Sequence, residues 1–156
     1  MKNAKSATAT INHETFTITF ERRLRASREA VFDAWTLPED IAEWWDPTGA
    51  RLTRCRIDLR VGGTFMFENA GHGPPFSGIY RVVDRPEKLV FDALGSVGSV
   101  ALTSEGEATH MKVEIRCSSA DHLEQFLKMG INTGTERTLD NLVARLHKRA
   151  AIRGGS

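Results

Sequence analysis

The sequence has 156 residues and a formal net charge of +1, and 40% of its residues are hydrophobic, 26% charged and 8% aromatic. These values are typical of one soluble globular domain that is large enough to bury a core, and they argue against a disordered or fibrous chain. Because 21 basic residues are balanced by 20 acidic ones, the composition also argues against a dedicated nucleic-acid binder and an electrostatic membrane anchor.

The sequence contains no recognisable signal peptide and no membrane-spanning segment, and these features bear on cellular location and on the state of the thiols. Residues 1–14 contain no apolar core of the kind that a signal peptide needs, and no stretch is apolar enough to span a membrane. We therefore predict a cytoplasmic protein whose two cysteines, Cys55 and Cys117, are reduced thiols. Neither cysteine belongs to a CxxC motif, and a catalytic thiol is not predicted.

The first structured part of the chain is predicted to be a strand followed by two short helices. Apolar and polar residues alternate over Thr15–Leu24, which is typical of a half-buried strand. Ser27 can cap a helix over Arg28–Thr36, because its hydroxyl can accept a hydrogen bond from a free backbone N–H of the first turn. Pro38 suits the first turn of a second short helix, which would run to about Trp45.

Residues 51–117 predict an antiparallel meander, because short alternating segments are separated by turn residues. Gly62-Gly63 is expected to be a hairpin turn and residues 70–75 a loop. The six predicted strands are Arg51–Leu59, Thr64–Glu68, Ser77–Asp84, Leu89–Leu94, Val100–Ser104 and His110–Cys117.

After Ser119 the hydrophobic period becomes helical, which predicts one long helix from about Ala120 to Arg149. Its buried stripe consists of Leu123, Leu127, Ile131, Thr138, Leu142 and Leu146. Since the strands form a run and do not alternate with helices, we predict an α+β fold, with a curved antiparallel sheet of about seven strands around the long C-terminal helix. The domain would occupy residues 15–149, between a flexible N-terminal lead (1–14) and a C-terminal tail (150–156).

Two glycines, Gly130 and Gly134, depart from the helical pattern, and each would cost about 1 kcal/mol inside a helix. Three interpretations remain open. The glycines allow close backbone packing, or the helix breaks near Met129-Gly130, or the missing side chains leave a cavity over the sheet. Eleven of the twelve aromatic residues lie at or before Phe91, so bulky side chains on the sheet face a helix of small and aliphatic residues, which favours a pocket.

Sites for catalysis and metals receive little support from the sequence. The five histidines form no HExxH motif and lie near no CxxC, so no metal site and no cofactor are predicted. Gly62-Gly63 leads into a strand rather than a helix and cannot cradle a phosphate. An enzyme would have to use interior residues, for which the candidates are Tyr80, Glu68, His110 and Arg116.

Three runs of sequence carry a resemblance to a known family: FERRLRASREAVFDAWTLPEDIAEWWDP, IDLRVGG and FSGIYRVVDRPEKLVF. In the first run the most specific residues are the AWTLPE string and, after it, Trp44, Trp45 and Pro47. In the second run they are Asp58, Arg60, Gly62 and Gly63, and in the third Gly78, Tyr80 and Pro86. Over roughly Thr15–Leu146, the chain resembles stand-alone bacterial members of the family of activator of 90-kDa heat-shock-protein ATPase homologues. This family belongs to the START-like (SRPBCC) superfamily, which shares the helix-grip fold of the birch-pollen allergen.

The resemblance implies the same β-α-α-β6-α order that the residues predict. It leaves activity open, because the superfamily includes lipid carriers, plant hormone receptors and polyketide aromatase/cyclases, while the family's name comes from a co-chaperone domain. Many relatives dimerise, so a homodimer is among the implied states. Two departures stand out: Ser27 replaces the usual proline, and Thr135 replaces a usual tryptophan of the last helix, which alters the expected cavity wall.

The leading hypothesis is non-catalytic binding of an apolar or amphipathic small molecule between the sheet and the C-terminal helix. The alternatives are a protein-interaction module that regulates an ATPase, for which a protein partner is expected, and a cyclase- or hydrolase-type enzyme. No catalytic residue is assigned, and neither a nucleic acid nor a membrane is expected as a partner. The predicted ligand-binding residues are Trp35, Trp45, Phe65, Phe67, Tyr80, Phe91, Met111, Leu127, Gly130, Gly134 and Thr138.

Overall fold

The computed structural model of the protein describes residues 9–70 and 74–154. Within these ranges the elements follow one another as β1 (Thr10–Asn12), β2 (Thr17–Leu24), α1 (Arg28–Thr36), α2 (Pro38–Trp44), β3 (Arg54–Ile57), β4 (Thr64–Glu68), β5 (Phe76–Asp84), β6 (Lys88–Ala93), β7 (Ser96–Glu105), β8 (Ala108–Arg116), α3 (Ala120–Lys128) and α4 (Ile131–Gly154). Two short helices, a meander of strands and C-terminal helices confirm the predicted α+β fold.

The sheet is open, curved and antiparallel, and in the described part of the chain it has eight strands rather than the seven predicted, in the order β1-β2-β8-β7-β6-β5-β4-β3. The additional strand, β1, lies within the segment predicted as a flexible lead and pairs with β2, Ile11 opposite Ile18. Residues 1–8 of that lead lie outside the described residues, as do residues 71–73 of the predicted loop. Residues 10–12 are thus more regular than their polar composition indicates.

The two short helices close one end of the sheet. Ser27 caps α1 as predicted, its hydroxyl accepting a hydrogen bond of 3.1 Å from the Ala30 N–H. The α1–α2 corner is held from inside, since the Trp44 indole N–H donates to the Ala34 carbonyl at 3.0 Å. Both tryptophans of this corner, Trp35 and Trp44, are buried against the sheet, so the corner is part of the core.

The predicted long C-terminal helix is confirmed as α4, but it does not run without interruption over 120–149, because the chain breaks between α3 and α4. The break is at Gly130, whose φ of +77° is a left-handed conformation that side chains disfavour. Of the predicted C-terminal tail, residues 150–154 continue α4, and residues 155–156 lie outside the described part. α3 and α4 together take the place of the single long helix.

α4 lies across the concave face of the sheet and is anchored at two places. Leu139, Leu142 and Leu146 are buried beneath it. On its outer side, the Asp40 carboxylate of α2 accepts hydrogen bonds from Arg145 at 3.0 Å and from Arg149 at 2.6 Å. None of the described helices is long and apolar enough to cross a membrane.

Candidate functional site

A cavity of about 430 Å³ lies between the concave face of the sheet and the α3–α4 helices. The sheet side presents Phe91, Val113 and Ile115, and the helix side presents Phe126, Ile131 and Leu139. Ligand pockets typically have volumes of roughly 300–1,000 Å³ and mostly apolar walls, and this cavity has both properties.

The mouth of the cavity lies where the break between α3 and α4 faces the β6–β7 turn. Met129 at the break and Leu94 in the turn are 69% and 55% exposed, although both are large apolar residues. His122 of α3 connects the two sides, since its Nε2 lies 3.2 Å from the Leu94 carbonyl oxygen and its ring packs edge-on against Phe126. The mouth is therefore apolar, and the contacts of His122 hold its two sides together.

The two glycines have different structural roles. Gly130 is required by the helix break, which was one of the three interpretations of the sequence. Gly134 lies inside α4 and lines the cavity, and a Cβ placed there would meet only the Pro47 side chain, at 3.9 Å. Close backbone packing does not explain Gly134, because the space that its missing side chain leaves is part of the cavity.

Behind the main cavity lies a much smaller chamber of about 10 Å³, which is roughly one water molecule in size. Phe65, Phe67 and Tyr80 line this inner chamber. The inner chamber and the main cavity share four lining side chains, which we call the aromatic wall: Trp35, Trp45, Phe76 and Phe91. The two spaces therefore lie on either side of one layer of rings.

Glycines in neighbouring strands allow the aromatic rings to lie flat on the sheet. Phe91 of β6 pairs with Gly98 of β7, and a Cβ on Gly98 would lie 2.6 Å from the Phe91 ring. Phe65 of β4 is placed in the same way opposite Gly78 of β5, where the distance would be 2.5 Å. Such cross-strand aromatic–glycine pairs fix the rings that line both spaces.

The structure places the predicted site residues at three depths. Six of them line the main cavity: Trp35, Trp45, Phe91, Gly130, Gly134 and Thr138. Phe65, Phe67 and Tyr80 line only the inner chamber. Met111 and Leu127 line neither space: Met111 is fully buried, where its sulfur accepts the Trp35 indole N–H at 3.4 Å, and Leu127 packs against the core.

Sequence reasoning missed several cavity residues. Phe76 precedes the predicted start of its strand, and it joins the aromatic wall because β5 begins one residue earlier than expected. Val113 and Ile115 alternate with polar residues in β8. This alternation in the sequence could have shown that both residues lie on the cavity face of the sheet. Phe126 of α3 also lines the cavity, although it lies outside the buried stripe that the sequence predicted.

The cavity is nearly free of charge. Among its described lining residues only Glu114 is ionisable, and it alternates with Val113 and Ile115 in β8, so its carboxylate lies on the other face of the sheet, 3.9 Å from the Lys112 ammonium. The Thr138 hydroxyl is engaged, since it donates to the Trp45 carbonyl at 3.0 Å. Burial, and secondarily the neighbouring Cys55, raises the pKa of the Tyr80 phenol, so the phenol stays protonated at neutral pH.

The two cysteines are free thiols in the structure. Burial raises the pKa of the Cys55 thiol to about 11, with a smaller opposing effect of Arg51. Burial also raises the pKa of Cys117. Since the thiolate is the nucleophile, neither environment favours a reactive cysteine.

The residues considered for catalysis do not come together. Glu68 is ion-paired with Arg54 across a separation of 3.6 Å, and the His110 Nε2 lies 2.7 Å from the Glu21 carboxylate. His110 and Arg116 alternate with Met111, Val113 and Ile115 along β8, so they lie on the opposite face of the sheet from the cavity. No group of three or more acidic, histidine or cysteine side chains in the described part of the chain could hold a metal ion.

With this geometry established, comparison with known proteins is informative. The family described as Activator of Hsp90 ATPase homolog 1-like protein matches residues 25–147. The chain belongs to this family. The resemblance carried by the AWTLPE, WW-x-P and D-x-R-x-GG motifs is thereby confirmed, and the matched range includes α1 through most of α4.

Solved structures of bacterial proteins share the fold. Ms6760 from Mycobacterium smegmatis has a TM-score of 0.79 at 20% identity, with 92% of this chain and 98% of that chain covered. An AHSA1-like protein from Aeromonas hydrophila has a TM-score of 0.69 at 27% identity, with coverages of 89% and 94%. A protein from Arthrobacter aurescens reaches 0.81 at 17% identity, covering 92% and 93%. A comparison with curated proteins finds no match.

Proposed function

We propose that this protein binds a small apolar or amphipathic molecule in the cavity between its sheet and α3–α4, without catalysing a reaction on it. The observation that carries the proposal is the cavity itself: about 430 Å³ of space with mostly apolar walls in a domain of 156 residues. Protein interiors are otherwise close-packed, with few voids larger than a water molecule. Apolar walls that stay in contact with water are unfavourable, and a ligand that covers them would remove that cost.

Three further features support binding of a ligand from solution. The mouth is lined by the exposed side chains of Leu94 and Met129, which would contact an apolar molecule as it enters. Gly134 leaves space where any other residue of α4 would reduce the volume. The alternative of an ATPase-regulating interaction module is supported by the family's description alone, and neither the cytoplasmic location nor a homodimer has a specific structural observation behind it.

The proposal is tested by titrating the purified protein with N-phenyl-1-naphthylamine, a neutral apolar fluorophore that brightens when it leaves water. We expect saturable binding with one site per chain, and displacement by neutral lipids and aromatic metabolites. Native mass spectrometry of the protein after exposure to the same mixture should detect a retained ligand. Linear, unsaturable fluorescence together with no retained mass would contradict the proposal.

A further inference from the structure

Tyr80 lines the inner chamber, and its phenol has no hydrogen-bond partner among the residues that the structure describes. The residue is 2% exposed, and its backbone pairs with Gly62 and Gly63. Polar side-chain atoms in a protein interior nearly always have a partner, so a phenol that lines a void without one is suited to donate a hydrogen bond to a ligand.

Among the described residues that line the inner chamber, the polar side-chain groups are the Tyr80 phenol and the indole N–H groups of Trp35 and Trp45. Besides Tyr80, the indole N–H of Trp45 has no hydrogen-bond partner within residues 9–70 and 74–154, whereas that of Trp35 is directed to the Met111 sulfur. The remaining lining residues are Ile41, Leu89 and phenylalanines. A buried water typically makes about three hydrogen bonds, and Tyr80 and Trp45 supply at most two partners, so this chamber suits a ligand oxygen that brings its own apolar body better than it suits an isolated water.

The charge of the site limits the ligand's chemistry. No cationic side chain is found among the described residues that line either space, so a carboxylate or phosphate at the deep end would be buried without compensation. Tyr80 stays protonated and is a donor. The group that fits is therefore uncharged and accepts hydrogen bonds.

We propose that the deep end of the site recognises a neutral acceptor oxygen, of the carbonyl class, on a ligand whose apolar body fills the main cavity. The oxygen passes between the rings of the aromatic wall and accepts a hydrogen bond from the Tyr80 phenol, with the Trp45 indole N–H as a second donor. This inference rests on the proposed function and adds the chemical class of the ligand to it. The rings of Trp45, Phe76 and Phe91 separate to admit the oxygen, and this opening joins the main cavity to the inner chamber.

A matched pair of probes tests the inference: 2-acetylnaphthalene, a ketone, and 2-isopropenylnaphthalene, in which a CH₂ group replaces the carbonyl oxygen. Their affinities are measured by displacement of N-phenyl-1-naphthylamine from the wild type, from Tyr80→Phe and from the control Ser77→Ala. Ser77→Ala also removes one hydroxyl from β5, but on the opposite face of the sheet, away from both cavities. We expect Tyr80→Phe to reduce the preference for the ketone over the hydrocarbon roughly threefold to tenfold, and Ser77→Ala to leave it unchanged.

The outcomes separate this inference from the proposed function. If both probes bind and Tyr80→Phe leaves their affinity ratio unchanged, the cavity binds ligands but the role of Tyr80 is overturned. If neither probe nor the fluorophore binds the wild type, the proposed function fails and the inference with it. Infrared spectra of the bound ketone need no variant: a carbonyl stretch lowered relative to that in hexane supports the hydrogen bond, and a hexane-like stretch overturns it.

Discussion

Individual residues of the interior are held in their neutral forms by burial. Tyr80 and Cys55, both next to the apolar core, have raised pKa values because removing a charge from water is unfavourable. The sequence predicted Tyr80 as a polar handle among aromatic residues, but it could not show that the phenol lacks a partner. That property depends on side chains from β4, β6 and α2, which only the folded chain brings together.

The thiol of Cys55 is expected to react slowly in the folded protein. A pKa of about 11 in place of the ordinary thiol value of 9.0 lowers the thiolate fraction at pH 8 roughly a hundredfold, and alkylation should slow by at least that factor. The measurement is the iodoacetamide rate at Cys55 by mass spectrometry, with the urea-unfolded protein as control. Equal rates in the folded and unfolded protein would contradict the prediction.

The same pKa shifts predict how stability depends on alkaline pH. Below pH 9 the Cys55 thiol is protonated in both the folded and the unfolded protein, whereas between pH 9 and about 11 only the unfolded chain ionises. The free energy of unfolding of the wild type should therefore fall as pH rises through this interval. That of the Cys55→Ser variant should fall less steeply. Urea titrations at pH 8, 9 and 10 test this, and parallel pH profiles of the two proteins would refute it.

At the scale of single elements, local signals predicted most of the boundaries. Ser27 and Pro38 place the two short helices almost to the residue, because capping and proline at the first turn are local effects. The break at Gly130 was only one of several interpretations, since a glycine near a helical stripe is compatible with a break, with close packing and with a cavity. Strand β1 was missed because its three residues are stabilised by pairing with β2 rather than by their own pattern.

The two glycines of the C-terminal helices should respond oppositely to alanine. Gly134 has an ordinary helical backbone and open space beside it, so Gly134→Ala should raise the free energy of unfolding by about 1 kcal/mol. Gly130 has φ +77°, so Gly130→Ala should lower it by about 1–2 kcal/mol. Urea denaturation of both variants measures the difference, and the same sign for the two substitutions would rule out the assigned roles.

The contact between α2 and α4 depends on Asp40. Its buried carboxylate accepts hydrogen bonds from Arg145 and Arg149, so Asp40→Asn leaves two guanidinium groups without a charged partner. Because both arginines are partly exposed, we expect a loss of about 1–3 kcal/mol rather than the larger value of a fully buried pair. The control is Glu43→Gln, since Glu43 of the same helix pairs with exposed Arg51; equal losses in both variants would contradict the prediction.

At the scale of the whole molecule, the cavity results from a mismatch between two layers. The sheet and short helices contribute the aromatic rings, while α4 contributes glycine, threonine and leucine opposite them. This uneven distribution was visible in the sequence and favoured a pocket between the layers. Its division into a main cavity and an inner chamber was not predictable, because it depends on cross-strand pairs such as Phe91 with Gly98, whose partners are fixed only by the register of the sheet.

Filling the cavity from α4 tests ligand binding most directly. In Gly134→Leu the new side chain projects into the cavity, whereas the control Thr133→Leu adds the same side chain to the exposed face of α4, one residue earlier. We predict that Gly134→Leu weakens binding of N-phenyl-1-naphthylamine roughly tenfold or more while the protein stays folded, and that Thr133→Leu binds like the wild type. Folded Gly134→Leu protein that binds the fluorophore as tightly as the wild type would contradict a ligand site between the sheet and α4.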